Sequence, residues 1–329
     1  MYLGTQFAAR TDSDYETFKQ LGVNNINGFP ETPHQNWTTD NLIQYREKVE
    51  SYDLKLDMVQ LPLSSKDIDS RVKSGEFYNI LTGTSPERDY EIERICKIIE
   101  MCSKAEIPAV KYNLNIIGIP RTESELGRGG AKLSTFRWDK ADHDAKDTYA
   151  GKVSEDVFWE RIDYFLEKVV PVAEEYKVRL ACHPHDPYTP PGYKGVTRVL
   201  GTVEGLKKFI SIQENDYHGL NFCQGTVTEM MDNPGEEIFD VIRYFGNKKK
   251  IFNVHFRNIK GNKLNFTEVF PDEGSINMYE AIKVYKEVNY KYMLMPDHVP
   301  EINAKDPKMT AFSYCYGYIN ALLQTLENN

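Results

Sequence analysis

With 329 residues, 40% of them apolar, the chain can bury a large core, as two domains or as one barrel-sized domain. Its 40 basic and 49 acidic side chains give a net charge of −9 without blocks of like charge, which argues against nucleic acid and anionic membranes as partners. Five cysteines, odd in number and without CxxC spacing, argue against a disulfide framework and for a reducing, cytoplasmic setting.

The first residues show no basic segment followed by a long apolar run, so no signal peptide is expected. No apolar run approaches the roughly 20 residues that cross a bilayer. A β-like run at 1–7 leads into a helix over 13–22, with Asp or Ser as its expected cap and Gly22 as its stop. A strand at 23–29 precedes a helix over 41–53 that aligns Leu42, Tyr45, Val49 and Tyr52. A strand at 54–62 precedes a helix over 88–107 that aligns Ile92, Ile95, Ile99 and Cys102. Five more strands follow, at 109–118, 178–184, 219–225, 251–258 and 292–298. Their helices span 157–177, 202–213, 236–248, 277–290 and 311–328.

Eight strands, each followed by a helix, imply parallel strands with crossover helices. The α/β class expected is a closed (β/α)8 TIM barrel, typically of about 250 residues plus insertions. An open doubly wound sheet is the rival, but no Gly-rich fingerprint follows the first strand. We read residues 1–329 as one TIM-barrel domain with a long, irregular active-site loop insertion at about 118–153. That insertion carries Arg121 and Arg128 beside three glycines.

In a parallel barrel all strands point their C-terminal ends to one face, and active sites sit there. The fifth strand ends in His183 and the sixth in Cys223, followed by Gln224 and Gly225. The seventh carries His255, then Arg257 and Asn258, and the eighth ends in Asp297 and His298. Four of the seven histidines (His183, His185, His255 and His298) fall on this rim. Two imidazoles, a thiolate and a carboxylate form a divalent-metal donor set. Thiolate and imidazole alone suit zinc, while the carboxylate and an oxygen-rich substrate also admit manganese or magnesium.

Each residue taken singly has a plainer use. A strand-end histidine is commonly a hydrogen-bonded structural group, and Asp297 after Pro296 is a ready turn cap. A cysteine is commonly a small buried hydrophobe, which is how Cys96, Cys102, Cys182 and Cys315 are read. The shared face tips the balance toward a metal. His298, beside a ligand, suits general acid/base work; its alternative is to orient Asp297. His34, His143 and His218 receive no role.

The segments "VKYNLNIIGIPRTESELGRGGAKLSTFRWDKA", "RLACHPHDP", "NFCQGT", "VHFRNIK", "NFTEVFPDEGSINMYE" and "PDH" together resemble mannonate dehydratases. That family belongs to the xylose isomerase-like TIM-barrel superfamily. The resemblance runs in order from about Val110 to about Leu322. It implies conversion of D-mannonate to 2-keto-3-deoxygluconate, in hexuronate (glucuronate) breakdown, with manganese or a similar divalent ion. Carried over, the metal ligands fall on His183, Cys223, His255 and Asp297, the same four residues that end the strands. The catalytic positions fall on His298 and Arg257, and substrate contacts on Asn113, Arg121, Arg128, His185 and Asp186. The implied partners are a small sugar acid or sugar and further copies of this chain.

Several positions depart from the family pattern. His185 replaces the middle Asp of HPDDP, Met295 an Arg before PDH, and Val299 a Gly after it. Met309 stands where the second catalytic group, a Tyr, is found, and Pro271 where a further His is found. Two enzymatic readings follow. One is a divergent dehydratase in which Tyr188, Tyr314 or Tyr316 serves for the missing tyrosine. The other is a metal-dependent isomerase or epimerase of a neutral sugar, which the absent arginine favours. A sugar-binding relic with a structural metal is a third.

Overall fold

The structure, a computed structural model, describes residues 1–327. Eight parallel strands close into a barrel: β1 (Tyr2–Thr5), β2 (Asn25–Gly28), β3 (Lys55–Gln60), β4 (Ala109–Asn113), β5 (Arg179–His183), β6 (His218–Cys223), β7 (Ile251–His255) and β8 (Met293–Met295). β8 pairs with β1, Tyr2 opposite Met293, and so completes the cylinder. One long helix follows each strand: α1 (Asp12–Gln20), α2 (Thr39–Glu50), α3 (Glu87–Lys104), α4 (Glu155–Tyr176), α5 (Val203–Ser211), α6 (Pro234–Asn247), α7 (Met278–Glu287) and α8 (Pro307–Glu327). The expected barrel is therefore the observed one, with each barrel strand overlapping its expected run.

The strand period of two explains how the interior is built. On β4, Val110 and Tyr112 face outward, and the Tyr112 ring lies 5.7 Å from Phe165 of α4. Ala109 faces inward and joins Met58, Ala181, Phe252, Met293 and Met295 in a separate apolar plug inside the barrel. Above that plug, Lys111 and Asn113 are the next inward positions of β4, and Asn113 pairs in register with His183. α4 starts at Ser154, whose hydroxyl accepts from Val157 N–H. It then buries Phe158, Ile162, Phe165, Leu166 and Val169, one stripe of a 3.6-residue helix.

Three local features differ from expectation. Thr11, not Asp or Ser, caps α1: its hydroxyl accepts from Asp14 N–H at 3.3 Å, and the Asp14 carboxylate accepts from Thr11 N–H at 2.8 Å. The run 251–258 is not one strand. β7 stops at His255, and Asn258–Asn262 starts a hairpin with Asn265–Val269. Nor is the insertion irregular throughout. Glu125–Leu126 pairs with Lys132–Leu133, and Thr135–Arg137 adds a third strand to the hairpin, Phe136 opposite Phe266. Among the described residues, no helix is long and apolar enough to cross a membrane.

Candidate metal centre and active site

β5, β6, β7 and the turn after β8 bring His183, Cys223, His255 and Asp297 together, with one donor atom from each lying within 4.8 Å of the others. His183 donates Nδ1–H to Pro184 O at 2.7 Å, which sets its tautomer and leaves Nε2 as the lone-pair nitrogen. His255 meets the Asn221 amide through Nε2 at 3.2 Å. Its Nδ1 is buried, makes no hydrogen bond, and lies 3.2 Å from Asp297 Oδ2. That nitrogen and the carboxylate oxygen face each other within the donor cluster, where a shared cation would fit between them.

Cys223 differs from the other cysteines. Burial pushes Cys102 and Cys315 up to about 12 and Cys96 up to about 11. Burial also opposes ionisation of Cys223, but the Arg257 guanidinium and the neighbouring His255 ring outweigh it and lower its pKa. Arg257 Nη2 lies 3.5 Å from the sulfur, and Thr226 donates both its hydroxyl, at 3.1 Å, and its N–H, at 3.4 Å. Burial likewise opposes charge on Asp297, yet His255, His298 and Arg257 hold its carboxyl well below the usual range. At His183 burial dominates and lowers the pKa to about 4, so this ring is neutral at physiological pH.

His298 is anchored by Glu268, with Nδ1 donating to Oε2 at 2.8 Å; Nε2 lies 3.7 Å from Asp297 Oδ2. Burial disfavours its charge, but Asp297 and Glu268 together prevail and push its pKa up to about 10. A cleft of about 330 Å³ lies over the cluster, lined by Lys111, Asn113, His183, His255, Asp297 and His298 among others. A larger cavity, about 570 Å³, lies around Arg128 and Arg137 and contains none of the donors.

Only part of the expected substrate-binding set reaches the cleft. Asn113 does. Arg128 sits outside, paired with Asp272 at 2.7 Å and stacked 4.4 Å from the Phe270 ring centre. His185 is buried against Phe158, its Nε2 bonded to Leu114 O at 3.0 Å and its Nδ1 accepting Leu200 N–H at 3.2 Å. No nitrogen of that ring is left for a ligand. Arg121, Asp186 and Arg257 form a buried ionic layer beside the cleft. Arg257 meets Asp186 at 3.1 Å, Glu229 at 2.8 Å and Glu268 at 3.2 Å. Arg121 bonds Glu268 and, at 2.6 Å, Asp186. Both guanidiniums are consumed by protein carboxylates.

None of the three tyrosines considered for the missing acid/base group faces the cleft. Tyr316 bonds Thr5 at 2.6 Å in the core, Tyr314 packs on Phe270, and Tyr188 lies under Lys263. Sequence reasoning overlooked Glu268, Glu229, Lys111 and Gln6. Lys111 and Gln6 had a usable signal, because Lys111 lies on the fourth strand and Gln6 directly follows the first, and the C-terminal ends of both strands face the same rim. Glu268 and Glu229 carry no local signature, since a hairpin and a turn bring them in.

The family model for D-mannonate dehydratase (UxuA) matches residues 130–328. A mannonate dehydratase of Thermotoga maritima is 28% identical over 298 residues, covering 80% of this chain and 78% of the relative. One from Streptococcus agalactiae serotype Ia is 26% identical over 290 residues, with the same coverage. The crystal structure of mannonate dehydratase from Streptococcus suis serotype 2 superposes with a TM-score of 0.82 at 23% identity, covering 98% of this chain and 93% of that one. A D-psicose 3-epimerase from Clostridium cellulolyticum H10 shares the fold at a TM-score of 0.61 and 12% identity, covering 99% of this chain and 98% of that one. The family match spans more than half the chain and takes in the Cys223 turn, His255 and the Asp297–His298 pair, so this chain belongs to the D-mannonate dehydratase family, a family of hydro-lyases.

Proposed function

We propose that the chain is a metal-dependent sugar-acid dehydratase that converts D-mannonate to 2-keto-3-deoxy-D-gluconate, a step of glucuronate breakdown. The observation that carries this reading is the convergence of four donors within 4.8 Å at the edge of a cleft that His298 also lines. The donor chemistry fits a divalent ion: a neutral His183 with Nε2 free, an unbonded His255 Nδ1, a thiolate-favouring Cys223 and a charged Asp297. The proposed ion is Mn²⁺, because a carboxylate and substrate oxygens complete a mixed N, S and O shell; Zn²⁺ and Mg²⁺ are the alternatives. Such an ion, when bound, polarises the substrate carboxylate and its neighbouring hydroxyl.

The chain's own residues supply the rest. Dehydration removes a proton from the carbon beside the carboxylate and expels hydroxide from the next carbon as water. Glu268 holds His298 by Nδ1, which leaves Nε2 as the atom that carries out one of those two proton transfers. Arg257 favours the thiolate form of Cys223, and with Arg121 it anchors the carboxylates behind the site. We place the enzyme in the cytoplasm as a homo-oligomer.

The test is incubation of Mn²⁺-loaded protein with D-mannonate, with the product identified by NMR. A 2-keto-3-deoxy acid is expected. His298→Asn should slow its formation by roughly 10²–10⁴-fold while Mn²⁺ binding persists. Absence of product from every hexonate overturns the reading.

A further inference from the structure

We propose that Lys111 binds the carboxylate of the substrate; this deepens, and rests on, the sugar-acid reading of the same cleft. Lys111 is the second inward position of β4, 8% exposed, one pleat below Asn113. Its ammonium donates to Gln6 Oε1, and the Gln6 amide N–H donates in turn to Asp297 Oδ1. One glutamine side chain therefore bridges this cation and a proposed metal ligand, and Lys111 lines the cleft over the cluster.

The charge count around the cleft makes Lys111 unusual. A buried ammonium is expensive unless an anion balances it. Its bonded partner here is a neutral amide, and the anions that support it are Asp297 and Cys223, acting from a distance. Those two are also the anionic donors of the proposed metal site. Two neutral imidazoles, one thiolate (−1) and one carboxylate (−1) sum with a divalent ion (+2) to zero. Loading the site thus removes the balance for Lys111; the other cations lining the cleft are His298, held against Glu268, and the exposed Lys308. An anionic ligand supplies the missing counter-charge for Lys111, whereas a neutral sugar does not.

No arginine can take this role in the present arrangement. Arg121 and Arg257 are bound to Asp186, Glu229 and Glu268, and Arg128 is paired with Asp272 outside the cleft. Met295, which stands where the resembling family has an arginine, is buried on β8 and carries no charge. Lys111 supplies a cation from β4 instead. With one carboxylate oxygen on the ammonium, the acid end of the substrate is held beside the metal donors, which argues for an acid over a neutral sugar.

The experiment compares Mn²⁺-loaded wild type, Lys111→Met and Lys111→Gln by calorimetric titration with D-mannonate and with D-mannitol, which replaces the carboxylate by a neutral hydroxymethyl group. Wild type should prefer D-mannonate. Both variants should lose roughly 10–100-fold in D-mannonate affinity at saturating Mn²⁺, the scale of a charge-assisted hydrogen bond, while D-mannitol affinity stays within about threefold. Lys111→Arg should recover part of the preference. The glutamine variant keeps a polar partner for Gln6, so folding does not depend on the methionine substitution alone. An unchanged mannonate-to-mannitol ratio in both variants, or equal loss of both ligands, overturns the assignment. The two readings fail separately. Wild type that prefers D-mannonate without forming a keto acid removes the dehydratase, and variants that keep the preference remove Lys111.

Discussion

A side chain's surroundings, more than its type, sort the titratable groups of this protein. Cys102 and Cys223 are both fully buried, but only Cys223 has a guanidinium 3.5 Å from its sulfur, and the two thiols shift in opposite directions. His185 and His298 are two histidines of one rim in sequence; in space one is locked between two backbone groups and the other is held by a carboxylate facing a cleft. Glu268 is the residue on which the His298 assignment turns. Glu268→Gln should reduce kcat by roughly 10–100-fold with a smaller change in KM, because it disturbs the ring proposed to move the proton more than the groups that bind substrate. An unchanged kcat in steady-state assays would remove Glu268 from the mechanism. None of these distinctions was legible from residue identity, since each depends on a neighbour dozens of positions away.

At the scale of the element, the turn after β6 does the most. Cys223 ends the strand and caps the short helix Gln224–Thr228, so Thr226 N–H points at its sulfur. Gly225 leaves room for Arg257: a Cβ there would meet Arg257 Cζ and Nε at 2.6 Å. Gly225→Ala should therefore displace the guanidinium, destabilise the fold by about 1–3 kcal/mol and raise the Cys223 pKa. Urea unfolding and the pH dependence of thiol alkylation measure the two effects. A wild-type alkylation profile would show that Arg257 does not tune the sulfur. Sequence periodicity located the strands but overran their ends. β4 stops at Asn113 because Asn115 bonds Ser65 O and Gly118 O and turns the chain, a closure with no local pattern. The three-residue strand Thr135–Arg137 was invisible for a related reason, as its partner lies about 130 residues later.

At the scale of the whole molecule, the barrel sets the pH range in which the fold is stable. His218, on β6, is held neutral: burial, which outweighs its bond to Phe209 O, lowers its pKa to about 4 from an ordinary 6.5. The unfolded chain therefore binds a proton between pH 6.5 and 4 that the folded one refuses. Its contribution is complete above 6.5 and is lost as pH falls toward 4, up to about 3 kcal/mol for a shift of this size. His218→Asn should flatten the urea-midpoint profile in that window, and an unaltered slope would assign the acid sensitivity elsewhere. By itself the sequence determined the barrel and pointed to the four donor side chains that the fold brings within 4.8 Å of one another. Eight alternating apolar periods leave little topological choice, and a closed parallel barrel sends all strand ends to one face. Tertiary structure alone decided which cations remain available to a ligand. Arg121, Arg128 and Arg257 look free in one dimension and are paired in three, while Lys111, apparently an ordinary strand lysine, is left facing the cleft, because charge balance is settled by neighbours that only folding brings together.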